Sequence, residues 1–179
     1  RSDNTYALEY DCPDAVGYIA PFYGNFLVCL RAYAYIRMLG REGLENVSDN
    51  AVLNANYLMN RLKATYEVAV DRPCMHEFVL SAKAQADNGV KAMDIAKALI
   101  DEGFHPPTVY FPLIVKEALM IEPTETESKE TLDRFADAMI RIAERVRNDP
   151  ESFAAQPRSA PVSRPDEFRA IKQPDFASI

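Results

Sequence analysis

The chain's two histidines and its densest run of Thr and Glu residues fall into three short stretches. "CMHEFVLSA" at 74–82 carries His76 and Glu77, "GFHPPT" at 103–108 carries His105 and Thr108, and "EPTETE" follows at 122–127. His105 is the sharpest candidate for a site role, as a polar group fixed beside a ligand. Pro106 restricts it to an extended conformation and Pro107 stiffens the exit, so a rigid loop presents one imidazole. The alternative is a helix-to-strand connector whose histidine caps the preceding helix, where a donor or cation is favourable. His76 falls within a stretch of strand-like alternation, in which Glu77 points to the opposite face. The two are therefore not expected to form an acid–base pair, and His76 is expected to be hydrogen-bonded within a sheet. Thr108, Glu122, Thr124 and Glu125 follow the same logic as His105 with weaker signals, and the Thr-Glu run reads chiefly as a helix start, with Thr124 and Glu127 matching a capping box and Thr126 a competing N-cap. A fourth stretch, "APFYGNF" at 20–26, sets Tyr23 and Asn25 around Gly24, and polar groups on such a loop can line a pocket.

Some function classes are disfavoured. There is no Gly-rich phosphate loop, Ser-His-Asp set or metal-ligand spacing. A net charge of −7 without a Lys/Arg-rich run argues against a surface built to neutralise nucleic-acid phosphates. Cys12, Cys29 and Cys74 are odd in number and form no Cys-x-x-Cys pair, which suits a reducing cytosol. Cys29 is expected as a small buried hydrophobe. No apolar run approaches about 18 residues, and the polar start "RSDNTYALEYDCPD" lacks a leader pattern. The expectation is a cytoplasmic chain with no membrane span, and its first residue, Arg1, suggests a piece of something longer.

The elements that must position these residues are legible from periodicity. "FLVCLRAYAYIRML" at 26–39 is apolar on nearly every side, as in a helix sunk into a larger body, with Gly40 placed to end it. Leu44, Val47, Ala51, Ala55, Leu58 and Leu62 form one stripe of a second helix, whose opposite face carries Asn and Asp. "CMHEFVLSA" predicts a strand. "VKAMDIAKALIDEGF" predicts a helix closed by Gly103. Two strands follow near "TVYFP" and "ALMIEP". Leu132, Phe135, Met139, Ile142 and Val146 then mark the cleanest helical stripe in the chain. The order is two helices, then strand, helix, strand, strand, helix. This predicts an α/β layer, a small sheet with helices on one side. Five of the twelve prolines fall between Pro150 and Pro174, predicting an extended arm without a core.

These stretches together resemble a known family. "PFYGNFLVCLRAYAYIRMLGREGL", "AVLNANYL", "PCMHEFVL", "DIAKALIDEGFHPPTVYFPLIVKEALMIEPTETESKETLDRF" and "SAPVSRPDE" resemble the C-terminal part of glycine decarboxylase, the pyridoxal-phosphate P-protein of the glycine cleavage system. The likeness is to subunit 2 of its two-subunit form and runs from about Gly17 to the end. "HEFVL", "GFHPPT" and "EPTETE" are specific in combination. The resemblance implies the small C-terminal domain of the fold-type-I, aspartate-aminotransferase-like architecture. On that reading residues 1–40 end the large-domain region with a connecting helix, 41–148 form the small α/β domain, and 149–179 form the arm. It further implies decarboxylation of glycine on pyridoxal 5'-phosphate and transfer of the aminomethyl group to the lipoyl arm of H-protein. The implied assembly is an oligomer, a heterotetramer with subunit 1. Tyr23, Asn25, His76, His105 and Thr108 are implied at the rim of the active site or lipoyl channel.

The sequence departs from the family at one decisive place. The Schiff-base lysine of the family lies in a His-Lys motif before a Gly-rich segment, and all seven lysines here stand in other contexts. The chain alone is therefore expected to be inactive. Aminotransferases of this fold also grip the substrate carboxylate with a small-domain Arg, yet no Arg occurs between Pro73 and Asp133. An ion pair would stabilise the carboxylate that must leave, so its omission suits decarboxylation. The competing readings are a non-catalytic module for subunit assembly or partner binding, and another fold-type-I enzyme such as an aminotransferase or cysteine desulfurase.

Overall fold

The computed structural model describes residue 6 and residues 12–17 and 24–175. Two compact units divide between Leu44 and Glu45.

Helix α1 runs Phe26–Leu62, with Gly40 departing from helical geometry at φ 64°, a conformation that glycine adopts without a Cβ penalty. Asn25 starts it by accepting from the N–H groups of Leu27 (3.1 Å) and Val28 (3.3 Å). Its fully buried residues are Ala55, Leu58, Met59 and Leu62. The expectation of a sunken helix at 26–39 therefore needs correction in this chain: Phe26, Leu27, Tyr33 and Met38 are exposed, and so is Cys29. Composition there is that of a buried helix, but burial requires a covering surface.

In the second unit, strands β1 (Glu67–Val68), β2 (Phe78–Ser81), β3 (Thr108–Val109) and β4 (Ala118–Ile121) form one antiparallel sheet. Its order is β1-β2-β4-β3. The register pairs Phe78 with Ile121 and Leu80 with Leu119, and all four side chains are buried. Val79 and Met120, paired between them, occupy the other face and are only half-buried. This alternation fixes register, because a one-residue slip would turn the buried set outward. β1 and the four-residue helix α2 (Lys83–Ala86) leave no signal in the sequence, being too short for periodicity to register.

Helix α3 (Ala92–Asp101) and helix α4 (Lys129–Asn148) cover the predicted segments. α3 begins where Asp94 accepts from the Lys91 N–H (2.9 Å) and Glu117 from the Ala92 N–H (2.7 Å). It ends at Gly103, φ 83°, with the Phe104 N–H bonded to the Leu99 carbonyl (2.9 Å), as in a Schellman closure. α4 buries Leu132, Ala136, Met139, Ile142 and Val146. The Tyr66 hydroxyl donates to the Met139 carbonyl (3.0 Å) beneath that stripe. At the surface, Asp133 of α4 accepts from Tyr57, Arg61 and Lys129, joining α1 to α4. The Lys129 and Tyr57 hydrogen bonds hold the Asp133 carboxyl below its usual range.

The start of α4 corrects a second expectation. Its N-cap is Ser128, whose hydroxyl accepts from the Thr131 N–H (3.2 Å), rather than Thr124 or Thr126. The Thr-Glu run forms a turn before the helix.

Beyond α4 the chain is not free of the core. A 3-10 helix, Pro150–Ala155, buries Phe153. Arg164 then donates to Asp94 (2.7 Å) and to the carbonyls of Phe153 (2.9 Å) and Gln156 (2.8 Å). Asp101 accepts from the Arg158 and Ser159 N–H groups and the Ser159 hydroxyl, at 2.7 to 2.8 Å. Burial alone would raise the Asp101 carboxyl, but these bonds together outweigh it and hold it below its ordinary value. A short helix α5 (Glu167–Lys172) follows, with no buried residue. Proline spacing predicts an extended arm without a core; the segment instead holds these two helices and the buried Phe153, and two α3 carboxylates that the spacing does not reveal fasten it.

Candidate functional site

Two of the stretches that carry chemistry meet at one cavity of about 380 Å³. The connector after α3 supplies one wall, Phe104 to Thr108, and the turn after β4 supplies another, from Glu122 through Thr124 to Glu127. Between them lie Leu58 of α1, Met120 and Ile121 of β4, and Thr131, Leu132 and Phe135 of α4. The Phe104 and Phe135 rings meet edge to face, with centroids 5.3 Å apart, a favoured aromatic geometry.

Local sequence explains how each wall is held. The sharp closure of α3 at Gly103 turns the chain, and the two prolines keep 105–107 extended, so His105 and Thr108 arrive as a stiff unit. Strand pairing then sets Thr108 directly opposite Met120. The other wall has no paired strand. Its turn closes through the Glu127 N–H on the Thr124 carbonyl (3.2 Å), and the Thr124 and Thr126 hydroxyls lie 2.7 Å apart. The Asn54 amide reaches across from α1 to the Thr124 carbonyl (2.9 Å) and the Glu127 carbonyl (3.4 Å).

The five candidate residues are placed very differently. His105 and Thr108 both line the cavity. His76 does not line it and does not lie in a strand: β2 begins two residues later, at Phe78. It is an exposed loop residue with Nε2 3.9 Å from a carboxylate oxygen of Glu77 and 3.9 Å from one of Glu122. The expectation of a sheet-bonded histidine is corrected accordingly, because strand pairing stops before residue 76 and the opposite-faces rule has no force there. Asn25 belongs to the first unit, where its carboxamide oxygen caps α1. Tyr23 lies outside the described residues.

The stripes pointed to Leu58, Leu132 and Phe135 as core residues without showing that they also form a cavity lining. Asn54 was missed altogether, since an Asn at the edge of an apolar stripe, one turn before Leu58, still reads as solvated surface. Its neighbour Asn56 does similar work, accepting from the Cys74 N–H (3.0 Å) and donating to the Cys74 carbonyl (2.8 Å). Burial pushes the Cys74 thiol up, which disfavours the reactive thiolate.

Chemically, the lining is an apolar floor with His105, three threonines and two glutamates, and among the described residues it includes no Lys or Arg. It can orient an uncharged or amine-bearing group and exclude water from one side of it. It offers no ion pair to a carboxylate.

Comparison with known proteins places this geometry in a lineage. Residues 47–162 match the family model described as glycine dehydrogenase, C-terminal domain. The chain is 55% identical over 174 residues to the probable glycine dehydrogenase (decarboxylating) subunit 2 of Caldanaerobacter subterraneus, covering 97% of this chain and 36% of that protein. The protein of the same description from Chlorobium phaeovibrioides is 57% identical over 169 residues, 94% of this chain and 35% of its own length. That from Treponema denticola is 56% identical over 174 residues, 97% and 36%. The chain thus spans about a third of the length of the curated relatives it matches. The matched segment contains the sheet, α3, α4 and every residue around the cavity, and by that match the chain belongs to the glycine dehydrogenase C-terminal domain family.

Proposed function

We propose that this chain is the C-terminal part of a pyridoxal-phosphate-dependent glycine dehydrogenase (decarboxylating), contributing one wall of the site where glycine and the lipoyl arm of H-protein react. The observation that carries the reading is the convergence of "GFHPPT" and "EPTETE" on one cavity within the segment matched by the family. In the proposed enzyme the chain forms the small domain of a fold-type-I architecture and assembles with a subunit 1 in the cytoplasm. The exposed apolar segment of α1 fits assembly under either reading, so it does not favour a bare assembly module over the enzyme.

Pyridoxal phosphate does not fit this lining unaided. Among the described residues, no lysine stands at the cavity to carry a Schiff base, and no Lys or Arg stands there to neutralise a phosphate. In the proposed enzyme the cofactor is therefore anchored by residues outside the cavity described here. The role of this chain is positional: His105 and Thr108 present polar groups from a stiff loop, and the floor from Leu58 to Phe135 keeps water from one side of the reacting groups. The lack of a cation spares a departing carboxylate an ion pair that would stabilise it before reaction.

The test is a chimera in which this chain replaces the matching segment of the Treponema denticola subunit 2, expressed with its companion subunit. Glycine-dependent release of carbon dioxide in the presence of lipoylated H-protein is measured. Activity comparable to the parent is expected. A chimera that assembles and binds pyridoxal phosphate but releases none overturns the reading.

A further inference from the structure

We infer that Asn54 is a positioning residue of the cavity, fixing the wall formed by residues 122–127 against the stiff His105–Thr108 wall. The two walls differ in what holds them. Residues 104–108 are constrained by Gly103, two prolines and the pairing of Thr108 with Met120. After Ile121 the sheet ends, and the turn must be placed by other means before α4 begins at Lys129. Asn54 supplies a tie across about 70 residues of chain: one amide nitrogen is shared between the Thr124 and Glu127 carbonyls, at 2.9 and 3.4 Å.

Those carbonyls bracket the turn, so a single donor sets both its ends. Asn54 stands one helical turn before Leu58, on the same face of α1. The helix that provides part of the cavity floor thus also locates its rim. The geometry calls for a short side chain with a donor. Alanine removes the donor, and aspartate keeps the shape but turns an acceptor toward two carbonyl oxygens, which repel it.

The experiment uses the 179-residue chain and, for the functional arm, the chimera described above, so that arm rests on the glycine dehydrogenase reading. In the chain, backbone amide spectra of wild type, Asn54→Ala, Asn54→Asp and Asn60→Ala are compared. Asn60 is the control, a residue of the same type on the same helix whose amide bonds only within it, to the Asn56 carbonyl (2.9 Å). Both Asn54 variants are expected to shift the signals of residues 122–128, Asp more than Ala, with α3 unmoved and Asn60→Ala silent. Unchanged signals at 122–128 overturn the proposal, as do shifts spread equally over α3. Should the variants fail to fold, the wild type still decides. Slower hydrogen exchange of the Asn54 side-chain amide than of the Asn60 amide is expected, and equal rates overturn it.

In the chimera, Asn54→Ala is expected to lower kcat/KM for lipoylated H-protein about tenfold, a fraction of the loss that a misplacement of ~1 Å can cause. The loss should fall on KM more than on kcat, and an unchanged kcat/KM overturns the functional role. An unmutated chimera without activity would count against the glycine dehydrogenase reading alone, since the spectra judge the Asn54 tie without it.

Discussion

Between Phe26 and Met38, helix α1 shows solvent Phe26, Leu27, Val28, Tyr33, Ile36 and Met38, whereas between Ala55 and Leu62 it buries Ala55, Leu58, Met59 and Leu62 almost completely. The first segment is apolar all round and the second is apolar along one stripe. Hydrophobicity is greater where burial is smaller. A one-sided stripe needs only one packing partner, and in the second unit α4 and the sheet provide it. An all-round apolar helix needs cover on every side, and within this chain no residue of 26–50 is fully buried. Apolar composition therefore records what a segment requires, while exposure records what the chain provides.

The contrast can be broken most directly by cavity-making substitutions. Leu58→Ala or Leu62→Ala removes a fully buried side chain and should cost about 2–5 kcal/mol in denaturant unfolding. Val28→Ala or Leu30→Ala, equally apolar in type, should stay within about 0.5 kcal/mol of wild type. Equal losses in the two sets would mean that the first segment is also packed in this chain.

A smaller effect sharpens the description of the buried side. Tyr66 is buried, which raises its phenol above the ordinary value, so the folded state holds that proton more tightly than the unfolded chain does. The corresponding stability is complete below about pH 10, where the unfolded phenol begins to ionise, and declines as pH rises beyond it. Tyr66→Phe should cost about 1 kcal/mol through loss of the bond to Met139 and should flatten the alkaline decline. An alkaline slope equal to that of wild type would assign it to another group.

An effect of similar size concerns the start of α4. Ser128→Ala should cost about 1 kcal/mol by freeing the Thr131 N–H, while Thr126→Ala should not alter the cap. If Thr126→Ala cost as much in thermal unfolding, the cap would be wrongly placed by two residues.

The candidate site divides along similar lines. Gly103, the prolines at 106 and 107, and the stripes of α3 and α4 were legible because each is a pattern within a few residues, and backbone sterics or helical periodicity acts at that range. From these the sequence established an α/β chain and raised the expectation of a stiff loop presenting His105 and Thr108, and the combined motifs carried the family resemblance. The cavity was settled by tertiary structure alone. It lies where strand register sets Thr108 against Met120 and where Asn54 reaches about 70 residues along the chain, while His76, left outside β2 by its start at Phe78, stays outside the cavity. Such contacts leave no periodic trace, because an Asn beside a helical stripe reads the same whether its amide bridges two distant carbonyls or faces water.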